Sequence, residues 1–129
     1  MIIDFISDML VRIKNGYTAK KNGVFVLYSK QNVKILTLLV TEGFINGFFI
    51  TKENLIYVKL KYYRNDFIFK GYKRISTPGR RRYFTVKLLQ STFYNKAFVV
   101  VSTVEGLMLH RYAILRNLGG EVLFELEYC

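Results

Sequence analysis

Residues Ser102 to Glu121 read STVEGLMLHRYAILRNLGGE, and this stretch decides how the second half of the chain is organised. Hydroxyls at Ser102 and Thr103 close the apolar run Val99 to Val101, the pattern of a strand end, and a helix is predicted from about Leu107 to Asn117. Gly119, Gly120 and Glu121 follow, so the helix is expected to end on two glycines and a carboxylate. Short polar groups on rigid elements make a hydrogen-bonding site. Upstream, the 38 residues from Phe67 to Val104 hold eight Lys or Arg and no Asp or Glu. A hydrogen-bonding site and a cationic surface thus share one half of the sequence, which points to nucleic acid.

Composition sets the outer bounds. The chain has 129 residues, half of them apolar, with a single Pro and nine Gly, so it can bury a real core and has little linker material. A formal charge of +11 predicts attraction to a polyanion, either nucleic acid or an anionic membrane surface. Lys34 and Glu42 interrupt the most apolar window, and no uncharged run approaches the ~20 residues a spanning helix needs. Asp4 and Asp8 precede Arg12 and an amphipathic pattern starts at once, unlike a secretory or transit peptide. The lone Cys129 cannot form an internal disulfide, nor a zinc site with His110 alone, and suits a reducing compartment.

The first half reads as α-β-α-β-β. Ile6, Met9, Leu10, Ile13 and Tyr17 fall on one face of a helix from about Asp4 to Asn15, with Asp4 as N-cap and Gly16 as its stop. A strand follows at Val24 to Tyr28. Ser29 caps a second helix that carries Val33, Leu36, Leu39 and Val40 to a stop at Gly43. Strands are then expected at Ile45 to Thr51 and Leu55 to Tyr63. In the latter, Ile56, Val58, Leu60 and Tyr62 alternate with Tyr57, Lys59, Lys61 and Tyr63, giving one apolar and one cationic face.

Composition shifts after Arg64, Asn65 and Asp66, which places a lobe boundary between residues 65 and 66. Beyond it come a basic aromatic strand at Phe67 to Ile75, the Pro78, Gly79 turn and a short segment around Val86 to Gln90. A strand at Ala97 to Thr103, the helix already described and a last strand at Glu121 to Tyr128 complete the chain. The fold class is α+β: an N-terminal α/β lobe over 1–65 and a mostly β lobe over 66–129 with one or two short helices. No repeat at a fixed period is present.

Arg80, Arg81 and Arg82 stand beside Tyr83 immediately after the turn, where guanidinium forks can meet phosphate oxygens. A plain solvated charge run is the alternative, but Lys70, Lys73, Arg74, Lys87 and Lys96 lie in the same acid-free stretch and their fields add. Ser102 and Thr103 can bond base edges, ribose hydroxyls and phosphates, or merely their own turn. Glu121 can accept from base amino groups, or simply pair with Arg111 or Arg116.

RISTPGRRRY (Arg74 to Tyr83), VVVSTVEGLM (Val99 to Met108) and NLGGE (Asn117 to Glu121) together resemble the bacterial-type ribosomal small-subunit protein eight family. DFISDMLVRIKNG (Asp4 to Gly16) and EGFI (Glu42 to Ile45) extend the resemblance over nearly the whole chain, in order. It implies a protein that binds the central domain of small-subunit rRNA early in assembly and touches neighbouring ribosomal proteins, without catalysis. Carried over by position, Ser102, Thr103 and Glu121 form the main rRNA contact, Gly106, Gly119 and Gly120 shape it, and Arg81 and Tyr83 adjoin it. Arg74, Ser76, Pro78, Gly79, Arg80, Arg82 and Lys30 complete the expected RNA-binding set.

The chain departs from the family where Ser-Thr-Ser reads Ser102, Thr103, Val104, where Leu109 and His110 replace polar residues, and where Phe5 replaces a Pro. No cofactor, metal or small-molecule substrate is expected, since there is no Walker A loop, GxGxxG or Cys/His set, and His110 reads as a packed or helix-surface residue. The competing class is a basic membrane-surface or protein-scaffold module anchored by Phe and Tyr, which liposome binding surviving nuclease would favour. Phe, Tyr, Ile, Lys and Asn are plentiful and Ala occurs three times, a bias of AT-rich coding DNA. A small ribosomal subunit inside a mitochondrion is the expected location, with a plastid or a bacterial cytoplasm as the alternative.

Overall fold

A computed structural model describes residues 4–63, 66–67 and 69–128. Its elements run α1 (Phe5–Thr18), β1 (Gly23–Leu27), α2 (Lys30–Thr41), β2 (Ile45–Ile50), β3 (Leu55–Leu60), β4 (Tyr62–Tyr63), β5 (Asp66–Phe67), β6 (Phe69–Arg74) and β7 (Tyr83–Phe84). Then follow α3 (Val86–Phe93), β8 (Val99–Thr103), β9 (Gly106–Leu109), α4 (His110–Leu115) and β10 (Gly120–Tyr128). The α+β class and the α-β-α-β-β order of the first lobe are as expected. Two compact units divide between Gly71 and Tyr72. The boundary expected between residues 65 and 66 adjoins Arg64 and Asn65, which lie outside the described residues, as do Ile68 and Cys129.

In the unit of residues 4–71, three antiparallel strands lie in the order β1-β3-β2. Helices begin where side-chain oxygens can take orphan amides: Asp4 accepts from the Ser7 amide at 3.2 Å and Ser29 from the Asn32 amide at 3.0 Å. Met9, Leu10, Ile13 and Tyr17 of α1, Ile35 and Leu36 of α2, and Val26, Ile56 and Val58 of the strands are buried together. Truncating one such Leu to Ala costs about 2–5 kcal/mol. Tyr17 is held at its tip as well, its hydroxyl donating to the Phe44 carbonyl at 2.9 Å and accepting from the Lys61 amide at 3.2 Å.

Gly16 does not stop α1. It lies within the helix, where a Cβ would run into the Val24 side chain, so its absence of side chain sets how closely α1 rides over β1. Termination falls instead to Ala19 and to Lys20, which is left-handed at φ 55°. Gly43, at φ 84°, does follow the end of α2 as expected.

In the unit of residues 72–127, the sheet runs β6-β10-β8-β9, with β7 also paired to β10. Phe84, Leu89, Phe93, Val99, Val101, Ala113 and Val122 form its core. The segment expected as a helix from Leu107 to Asn117 splits in two, a strand at Gly106–Leu109 and a short helix at His110–Leu115. Helix α4 does not end on the two glycines. Asn117 is left-handed at φ 58°, and the amides of Asn117 and Leu118 return to the Ile114 and Ala113 carbonyls at 3.0 and 2.8 Å. That doubly bonded cap satisfies the last carbonyls and frees Gly119 and Gly120 for a different task.

Candidate nucleic-acid interface

Sheet register assembles the site. Ser102 on β8 faces Leu107 on β9 and Glu121 on β10, and Glu121 faces Tyr83 on β7. Residues directly opposite on neighbouring strands share a face, so Leu107, Ser102, Glu121 and Tyr83 make one row across four strands. Val101 and Val122, one residue along, point to the other face and into the core. The row needs close strands at its end. A Cβ on Gly120 would collide with the Ser102 carbonyl, and one on Gly119 would come within 2.6 Å of the Phe84 carbonyl. These glycines let β10 slide between β7 and β8.

Glu121 keeps only 13% of its side chain in solvent and meets Arg81, whose Nη1 donates to Oε1 at 3.4 Å. The pair is neither of the partners expected for Glu121; Arg116 instead bonds Glu105 at 3.1 Å. Pairing with Arg81 offsets the charge that would repel phosphate, while carboxylate lone pairs and the remaining guanidinium donors stay available. The half-buried Ser102 hydroxyl makes no hydrogen bond among the described residues, so both its donor and its lone pairs are free.

Thr103 behaves differently. Alternation sends its side chain to the opposite face from Ser102, and its hydroxyl is engaged in the β8–β9 turn, donating to the Gly106 carbonyl at 2.9 Å and accepting from the Glu105 amide at 3.1 Å. Gly106 sits at φ 117° in this turn, a conformation that strains any side chain. Thr103 and Gly106 therefore shape the hairpin tip, where Val104 stands fully out in solvent.

The arginine turn is pinned to β10. Thr77 and Arg80 exchange backbone hydrogen bonds of 3.0 and 3.1 Å around Pro78 and Gly79. Ser76 is 1% exposed, with its hydroxyl accepting from the Arg82 amide at 2.8 Å and donating to the Arg82 carbonyl at 3.2 Å. It clasps the loop from beneath and does not face solvent. Arg74 is likewise inward, donating to the Leu123 carbonyl at 2.6 Å, at the point where a bulge shifts the β10–β8 register. Arg80, Arg81, Arg82 and Tyr83 are exposed, and Arg82 lies over the Phe84 ring at 5.4 Å. Lys30, first residue of α2 in the other unit, is exposed and is not part of this row.

His110 is buried, edge-on to Phe93 with ring centroids 6.2 Å apart. Desolvation holds its pKa below the usual histidine value, and no partner is found for Nδ1. At 4% exposure the ring is a packed side chain, closed off from any substrate in solvent. Among the described residues there is no cluster of metal-ligating side chains and no helix long and apolar enough to cross a membrane.

A basic α+β chain with a hydrogen-bonding row beside clamped arginines belongs, by its build, to the nucleic-acid-binding class. Comparison with known proteins is decisive: the Ribosomal protein S8 family matches residues 4–126, and this chain belongs to it. Among its relatives, the small ribosomal subunit protein uS8 of Mycoplasmopsis agalactiae is 41% identical over 125 residues, 95% of each chain. That of Photobacterium profundum is 42% identical over 122 residues, covering 93% of this chain and 94% of its own. That of Wigglesworthia glossinidia brevipalpis is 38% identical over 126 residues. These relatives are bacterial.

Proposed function

We infer that this protein is a structural constituent of the small ribosomal subunit, not an enzyme, and that it binds small-subunit rRNA and lies against neighbouring ribosomal proteins. Membership of the S8 family supports this, and the observation that carries the site is the row Ser102, Glu121, Tyr83 with Arg81 paired to Glu121. The finer reading places the contact in the central domain of that rRNA and assigns it to the lobe of residues 66–129. Arg80, Arg81 and Arg82 supply phosphate contacts that position the protein, while Ser102 and Glu121 discriminate through ribose hydroxyls and exposed base edges in a wide A-form minor groove. Thr103, Gly106, Gly119 and Gly120 hold the shape of that surface. Pro78, Gly79, Ser76 and Arg74 hold the arginine loop, and Lys30 is a separate RNA-contacting cation of the N-terminal lobe.

For location, we propose a small subunit within a mitochondrion, supported by the AT-rich residue bias of the sequence. Crosslinking the protein in its native particle and sequencing the attached RNA tests partner and site together. Crosslinks from peptides containing Arg81 and Ser102 to one region of the central domain are expected. Crosslinks confined to peptides outside residues 74–121, or to another rRNA domain, refute the assignment.

A further inference from the structure

The outer face of the N-terminal sheet carries a second feature that the C-terminal row does not explain. Phe25 on β1, Tyr57 on β3 and Phe49 on β2 stand directly opposite one another, a single aromatic row across all three strands. Ring centroids are 4.9 Å apart for Phe25 and Tyr57 and 5.4 Å for Phe49 and Tyr57. Phe25 and Phe49 are 49% and 51% exposed, on the face opposite the buried Val26, Ile56 and Val58. The next row is Gly23, Lys59 and Gly47. A Cβ on Gly23 would strike the Tyr57 ring, so the glycine lets that ring lie across β1, edge-on to Phe25 at 61°. A Cβ on Gly47 would meet nothing, which leaves a bare shelf beside Lys59, whose Nζ sits 5.9 Å from the Phe49 ring centre.

A basic cleft continues from this row. A hollow of about 590 Å³ opens at β1, lined by Phe25 and by Arg12, Asn15 and Lys21 among others. Arg12 donates to the Phe25 carbonyl at 3.3 Å and is steadied by Asp8 at 2.9 Å. Residues 4–71 carry eleven Lys or Arg against five Asp or Glu, so the field around these rings is positive. Half-exposed rings flanked by cations, Phe25 and Phe49 inclined at 61° and 37° to Tyr57, suit unpaired bases, which stack on individual aromatic faces while the backbone follows the positive charge. A protein partner would find the same apolar rings, but the flanking cations favour a polyanion.

We propose that the row Phe25, Tyr57, Phe49 is a stacking platform for an unpaired RNA segment, with Lys59 contacting its backbone and the strand leaving over β1 towards Arg12 and Lys21. This site is separate from the C-terminal row and does not depend on it. Full-length protein is titrated against a fluorescein-labelled ten-nucleotide oligoadenylate by anisotropy. The Phe25→Ser, Phe49→Ser double variant is expected to bind about tenfold more weakly. Phe25→Tyr, Phe49→Tyr, which keeps the ring faces, is expected to bind as the parent does. Lys59→Gln leaves the rings in place and is expected to reduce the salt dependence. In assembled subunits, a benzophenone side chain at position 25 is expected to capture RNA. Unchanged oligoadenylate affinity in the Ser double variant, or capture of polypeptide alone at position 25, overturns the proposal.

Discussion

Ser102 and Thr103 are adjacent in sequence and point to opposite faces of the sheet, and replacing each by Ala separates the two roles proposed for them. Thr103→Ala removes a hydroxyl that donates to the Gly106 carbonyl at 2.9 Å and accepts from the Glu105 amide at 3.1 Å. Each such bond contributes about 0.5–1.5 kcal/mol net, and both are exposed, so the low end applies and the hairpin loses about 1 kcal/mol. For a chain of this size that lowers the melting temperature by about 4 °C. Ser102→Ala removes a hydroxyl with no hydrogen-bond partner among the described residues, so its stability cost is expected to be close to zero. Its cost should appear in RNA binding instead, at about 1 kcal/mol, or roughly fivefold in Kd. Urea unfolding gives the first quantity, and filter binding to a central-domain rRNA fragment against random RNA gives the second. Because Thr103 shapes the tip, its variant is expected to lose affinity only to the extent that the hairpin loosens. The assignment fails if Thr103→Ala is as stable as the parent yet loses cognate binding, or if Ser102→Ala weakens cognate and random RNA equally.

Gly120→Ala pushes a methyl into the Ser102 carbonyl and must separate β8 from β10; a loss of about 1–3 kcal/mol in urea unfolding is expected, with loss of rRNA binding. Arg81→Ala should reduce the slope of log K against log salt by about one while leaving the fold intact, as read by binding titrations at several salt concentrations. His110 has its pKa lowered by burial, so as pH falls below about 6.5 the unfolded chain takes up a proton that the folded chain resists. Stability is therefore full above that pH and declines below it, at up to about 1.4 kcal/mol per pH unit, until the folded-state pKa is reached. Denaturation of His110→Leu at pH 5 and pH 7, compared with the parent, should show a smaller pH dependence.

Local signals were readable where one residue suffices to produce them. Asp4 and Ser29 accept the amides their positions predict, and Gly43 takes the positive φ that ends α2. Glycines without a local reason were not readable. Gly16 reads as a helix stop, yet it is a contact point with Val24; Gly119 and Gly120 read as a cap, yet Asn117 does the capping. The stretch from Leu107 to Leu109 reads as helix because a three-residue apolar run fits either period, and only pairing with Val100, Val101 and Ser102 decides it. Strand β7, two residues long, leaves no periodic trace and exists through its bonds to β10.

Charge, the acid-free basic stretch, the order of elements in the first lobe and the family motifs are properties of the residues in line, and the sequence alone determines them. Which hydroxyl is spent on the hairpin and which is left free, that Glu121 pairs with Arg81 forty residues away, and that Ser76 and Arg74 turn inward were decided by the tertiary structure. The physical reason is that a side chain's face and partners follow from strand register. Register is set by long-range packing and by backbones close enough to exclude a Cβ, and neither is encoded within a local window.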